Sequence, residues 1–134
     1  MNSRWFGVLA IAAVLGTGSA VRAHHSFAAE FDIEKPVTLK GVVTKVEWVN
    51  PHVFLTLEAK DQSGKTTSWS LSSFGPAAVR RAGVTRTMLL AAGETVTIQA
   101  YHAKDSSNFA FLRKMIFADG HTIELWLGDP GATQ

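Results

Sequence analysis

The alternation of apolar residues between Val37 and Val49 changes phase part-way along. Val37, Leu39 and Val43 fall on odd positions, whereas Val46 and Trp48 fall on even ones. Successive side chains of a strand point to opposite faces. One continuous strand can therefore keep all of these residues inward only if it carries an extra residue or a kink between Gly41 and Lys45. Such a device lets a single strand bend from one sheet into another. It rules out a flat, regular sheet and directs the chain toward a closed or two-layered β architecture.

The segments that follow agree with that requirement. Val53 to Lys60 alternates, with Val53, Leu55, Leu57 and Ala59 on one face, and Asp61-Gln62-Ser63-Gly64 closes a hairpin onto a third strand, Thr66 to Phe74. Gly75 to Gly83 then reads as a short helix, with proline in its first turn and glycine just past its end. Thr85 to Leu90 adds a further helical turn. Thr95 to His102, Phe109 to Phe117 and His121 to Leu127 supply three more strands, separated by the polar loop Lys104 to Asn108 and the turn Ala118-Asp119-Gly120. Three strands, a short helix and two or three strands predict an all-β fold with one short helix, an OB-like five- to six-stranded barrel. An open β-sandwich is the alternative.

Residues 1–23 have the composition of a cleavable signal peptide: Arg4, the apolar run from Trp5 to Leu15, small residues from Gly16 to Ala20, and Val21-Arg22-Ala23 as a cleavage site. The apolar run is shorter than the ~20 residues needed to span a bilayer. The expected division is a signal peptide at 1–23, a lead-in segment at 24–36, the barrel at 37–127 and a frayed tail at 128–134. The domain remaining after cleavage has about 110 residues. The 13 Lys and Arg residues of the whole chain exceed its 11 acidic residues by two, and Arg4 and Arg22 account for that excess. A domain with no net charge lacks the basic stripe of a nucleic-acid binder. With no cysteine in the chain, disulfides, thiol chemistry, Cys-ligated metals and lipoprotein acylation are excluded. These features together place the protein in the bacterial periplasm or outside the cell, with no membrane span after cleavage.

Several stretches resemble a family of short exported bacterial proteins of unknown function. They are His24-His25-Ser26-Phe27, Phe31-Asp32, the run from Val37 to His52 with its Trp48-Val49-Asn50-Pro51-His52 element, Asp61 to Gly64, Trp69, Gly75-Pro76, Arg80-Arg81 with Gly83, Gly93 to Val96, Ala103 to Asp105 and Ala118 to Gly120. The resemblance covers nearly all of the chain after residue 23. It implies an exported OB-like domain and carries no activity with it.

Candidate chemistry falls into three groups. Cleavage after Ala23 exposes the amine of His24 beside its own imidazole, with His25 next to it. Nitrogen ligands of this kind suit Cu(II), and His52, His102 or His121 would supply a further ligand. Phe54, Phe74 and Trp126 fall opposite the apolar phase of their segments and form a candidate binding face, unless a sixth strand or the lead-in covers them. Arg80 and Arg81 flank the short helix, where they either hold an anion or offset the helix dipole. Trp48 and Trp69 fall on inward phases. No G-x-S-x-G, H-E-x-x-H or glycine-rich phosphate loop is present.

The expected function is a non-enzymatic, exported binding module for a small-molecule ligand or an envelope protein, with no required cofactor. A periplasmic Cu(II)-binding protein is the alternative. Intact-mass and metal analysis of the exported protein is expected to give a chain beginning at His24. A chain retaining residues 1–23 would contradict the signal reading.

Overall fold

The computed structural model describes residues 27–126. The signal segment, His24, His25 and the tail lie outside the described residues. The elements are α1 (Phe27–Glu30), β1 (Phe31–Trp48), β2 (Val53–Lys60), β3 (Thr66–Ser72), α2 (Pro76–Arg81), α3 (Arg86–Leu90), β4 (Thr95–Ala103), β5 (Phe109–Ile116) and β6 (Thr122–Glu124), with a 3-10 turn at Ala91–Gly93 ahead of β4.

β1 serves two neighbours. Its first part pairs antiparallel with β4 from Phe31↔Ala103 to Val42↔Thr95, and its last part pairs antiparallel with β2 from Gly41↔Ala59 to Trp48↔Val53. β2 pairs with β3 and β4 with β5, while Ser70, Leu71 and Ser72 of β3 run parallel to Phe109, Ala110 and Phe111 of β5. The ring β1–β2–β3–β5–β4 thus closes on itself, and the helices fall between β3 and β4. This is the connectivity of an OB-like barrel. β6 lies outside the ring and pairs with the far end of β5, from Lys114↔Glu124 to Ile116↔Thr122.

The phase change in β1 has the expected cause. The register with β2 shifts between Val43 and Lys45, leaving Thr44 as the extra residue, so that Val43 and Val46 both point inward and are buried. Just ahead of the bulge the strand turns its corner at Gly41, where it pairs with β2 and β4 together. A Cβ at this position would lie 2.1 Å from the Glu58 carbonyl oxygen and 2.8 Å from Ala59 Cα. Both obstacles are backbone, so only glycine lets the two strands approach this closely.

Leu55, Leu57, Leu71, Val96, Ile98, Leu112 and Met115 fill the barrel, and Val79, Val84 and Leu89 from the helical connection pack into the same core. The Thr85 hydroxyl accepts the Met88 amide at 3.2 Å and caps α3. Trp48 and Trp69 pack against this core but remain half-buried rather than enclosed.

The largest departures from the sequence reading fall on three strands. β1 starts at Phe31 instead of Val37, because Asp32 to Lys35 bulge out of the ladder between the pairs Phe31↔Ala103 and Pro36↔Tyr101, which hides the strand's period. β3 ends at Ser72, two residues before Phe74. β6 is three residues long. Among the described residues no helix is long and apolar enough to cross a membrane.

Gly41→Ala is expected to destabilise the fold by about 2 kcal/mol or more, since a methyl group forced into a packed site costs ~1–3 kcal/mol and here it meets rigid backbone. In thermal unfolding this corresponds to a loss of roughly 10 °C for a domain of this size. An unchanged midpoint would show that the corner can relax.

Candidate functional site

A second apolar cluster lies outside the barrel, over β4 and β5. It comprises Phe27, Phe31, Ala103 and Phe111, with Phe74, Tyr101, Phe109 and Trp126 packed against them. Phe109 and Phe111 alternate with inward-facing residues of β5, so their rings project outward from the sheet. The lead-in segment covers them. Phe27 and Phe31, one helical turn apart in sequence, place their rings 5.1 Å and 5.5 Å from Phe111. Phe27 also meets Trp126 at 5.5 Å and Tyr101 at 6.0 Å, mostly edge to face, the arrangement favoured by the ring quadrupoles. The segment is tied down by the Lys104 amide donating to the Glu30 carbonyl at 2.9 Å and the Lys104 ammonium donating to the Ala28 carbonyl.

This cover decides where the aromatic candidates sit. Trp126 does leave the barrel core, as its phase requires, but it is half-buried against Phe27, Tyr101 and Phe111 instead of projecting freely. Phe74 meets Phe111 edge-on at 5.3 Å and touches both clusters. Phe54 belongs to neither cluster. Its ring lies nearly parallel to that of Phe109, 6.5 Å away at 25°, with the His52 imidazole 6.2 Å away on an edge. Phe109 continues into an open groove of about 300 Å³ lined by Ala29, Glu30, Ala103, Lys104 and Asp105. Phe109 was not among the binding candidates read from the sequence, and Lys104 and Asp105 entered only through the polar loop and the family resemblance. The pairing of Phe27 and Phe31 with two outward phenylalanines on β5 was the signal available for finding them.

Two connections border this face. In the β4–β5 loop, hydrogen bonds from Ser107, hydroxyl first and then amide, hold the Asp105 carboxyl below its ordinary value and shape the loop. His102 donates through Nε2 to the Ser107 carbonyl at 2.8 Å and rests 5.4 Å from Trp69. In the β1–β2 connection, His52 donates through Nδ1 to the Ser73 carbonyl at 2.9 Å. There the Pro51 carbonyl oxygen lies so near Gly75 that a Cβ would come within 2.6 Å of it. The Asn50–Pro51 peptide is cis. The Trp48-to-His52 element is thus a fastening between the end of β1 and the start of α2.

Arg80 and Arg81 occupy the last turn of α2. The Arg80 guanidinium stands over the Trp48 ring at 5.4 Å, and Arg86 donates through Nε to the Val46 carbonyl at 3.2 Å. Arg80 and Arg86 therefore hold the helical connection against the end of β1.

The histidines are dispersed. His52 and His102 are bonded as above, and His121 meets the Asp119 carboxylate and stacks on Phe117. Among the described residues no three His, Cys, Asp or Glu side chains converge as a metal site would require. His24 and His25 fall outside the described residues.

A closed five-stranded ring with an outward aromatic face and a helical connection between its third and fourth strands defines an OB-like barrel protein. Residues 12–111 match a family described as "Family of unknown function (DUF6152)", and the chain belongs to that family. No curated protein and no solved structure matches it.

Phe27→Ala is expected to cost about 3 kcal/mol, at the low end for deleting a buried phenylalanine, and to shift tryptophan emission to the red as Trp126 loses its cover. The shift should vanish when Trp126→Phe is added. Emission unaffected by Phe27→Ala would show that Phe27 is not what covers Trp126.

Proposed function

We propose that this protein is an exported, periplasmic binding module without catalytic activity, and that it holds its ligand on the face bearing Phe54 and Phe109. One observation carries the reading. Phe54 stays outside the aromatic packing that covers Phe111, Phe109 forms the edge of that packing with its ring 5.1 Å from Phe31, and the two rings lie nearly parallel beside an open groove. OB-like barrels use the face of their second and third strands, together with the β1–β2 and β4–β5 connections, to hold extended ligands. Here that region is bordered by His52 on one side and Asp105 to Asn108 on the other.

The platform suits a small molecule with a flat apolar face and a polar rim. Its face would lie on Phe54 and Phe109, while Ser70, Lys104 and Asp105 offer hydrogen-bonding groups at the margin. The fold-level part of this reading is analogy; the placement of the rings is particular to this chain. Export rests on the signal-like residues 1–23. The lack of a nucleophile motif in the sequence favours binding over reaction.

A periplasmic Cu(II)-binding role is the second reading, supported by the anchoring of Phe27. A chain beginning at His24 would have its terminal amine and two imidazoles within three residues of a ring fixed on the barrel. Copper retained by protein beginning at His24, and lost when one residue is added ahead of it, would favour this reading over the first.

Native mass spectrometry of protein recovered from producing cells is expected to show a retained small molecule. Its occupancy should fall at least about tenfold in Phe54→Ala/Phe109→Ala, as the loss of a stacked aromatic platform implies, with unfolding still cooperative. Equal occupancy in the double variant, or no retained molecule at all, would contradict the proposal.

A further inference from the structure

Large apolar side chains are exposed at three places among the described residues: Ile33 at 55%, Val49 at 51% and Met88 at 42%. They divide between two patches of opposite charge. Ile33 sits on the excursion Asp32 to Lys35 near the start of β1, where the strand leaves its pairing with β4. Asp32 and Glu34 flank it, and Glu30 precedes it at the end of α1. The Asp32 carboxylate accepts the Glu34 amide at 3.0 Å and draws Lys35 to 3.6 Å, which shapes the excursion into a knob. Among the described residues, Glu30 and Glu34 have no cation within ion-pair distance.

Val49 follows the last residue of β1, and Met88 lies on α3 beside Arg86. Arg80 over Trp48 and Arg86 on the Val46 carbonyl fix α2 and α3 against this end of the strand, and Arg81 is exposed next to them. None of the three arginines has a carboxylate within ion-pair distance among the described residues; Glu47, next to Trp48 on the strand, is turned to Lys45 at 2.9 Å. One end of β1 is therefore acidic and apolar, and the other basic and apolar. Ile33 and Val49 lie near opposite ends of β1, on either side of the Gly41 corner.

We propose that the acidic knob at Ile33 docks on the arginine-bearing end of a second copy, giving head-to-tail association of the protein. The charges and the apolar residues are complementary, and arginine, tryptophan and methionine are the residue types enriched where proteins meet. A domain with no net charge also lacks the self-repulsion that keeps proteins apart. The contact is heterologous, since different patches meet, and it builds open chains or rings rather than a symmetric pair. With these few residues the interface is small, in the range of weak, transient contacts, and salt-sensitive.

The absence of cysteine makes a direct test available. Ile33→Cys and Val49→Cys, both at exposed positions away from either core, are introduced separately into the full chain and oxidised at low salt, alone and mixed. The mixture is expected to give a crossed disulfide dimer at least about tenfold above the same-variant dimers, and about half-molar salt should suppress it. Adding Arg80→Glu, Arg81→Glu and Arg86→Glu to the Val49→Cys chain should abolish the crossed dimer. Adding Glu30→Arg and Glu34→Arg to the Ile33→Cys partner should then restore it, an outcome that a merely misfolded variant does not produce. Crossed dimers no more abundant than same-variant ones, or indifferent to both salt and the charge changes, would overturn the proposal. So would preferential binding of the arginine end to polyglutamate or to phosphatidylglycerol vesicles with no crossed dimer.

Discussion

The close approach of Gly41 to the backbone of Glu58 and Ala59 is the contact on which the rest of the molecule depends. At that point one strand pairs with two neighbours, β4 behind it and β2 ahead. Without the corner, β1 would belong to one sheet only, and β3 and β5 would be left as free edges. A free edge offers a row of unpaired backbone groups to any other strand. The parallel pairing of β3 with β5 removes that exposure by closing the ring, and the bulge at Thr44 restores the inward phase that the corner would otherwise cost. Corner, bulge and closure are thus one solution to the problem of wrapping a short domain around a core held together by packing alone.

Closure also creates the outer surface that a ligand meets. A small barrel fills its interior with side chains, so a ligand is offered the outside. On this chain the outside of β4 and β5 carries Tyr101, Phe109 and Phe111, and the segment ahead of β1 returns to cover them. Phe27 and Phe31 convert most of the aromatic face into a second core and leave Phe54 with Phe109 at its margin. What remains open is small, flat and bordered by two polar connections, which favours a ligand gripped by stacking over a deep enclosed one.

Much of the barrel was legible in the sequence. The alternation of Val53 to Lys60, the Pro76 and Gly83 signals, and the phase change in β1 each carry a local physical meaning, and each appears in the structure. The start of β1 was hidden because Asp32 to Lys35 leave the ladder, so no period survives there. Trp126 was read correctly in phase, but its partner Phe27 lies about a hundred residues away and no local pattern links them. The Trp48-to-His52 element stood out as a motif, yet its contacts are those of a fastening: Trp48 under Arg80, His52 on the Ser73 carbonyl, and Pro51 against Gly75. Prominence in sequence and position in the candidate site therefore diverge. Phe109 was not a candidate in the sequence, yet with Phe54 it makes up the candidate face.

Amide hydrogen exchange across β3 and β5 tests the account most directly, because both the barrel and its outer face follow from ring closure. In a closed ring the amides of Ser70 to Ser72 and Phe109 to Phe111 exchange as slowly as those in the middle of β1 and β4, through the cooperative opening of the whole domain. A common, slow rate is the expected result. Rapid exchange confined to β3 and the first half of β5, with β1 and β4 still protected, would show an open sandwich and contradict it.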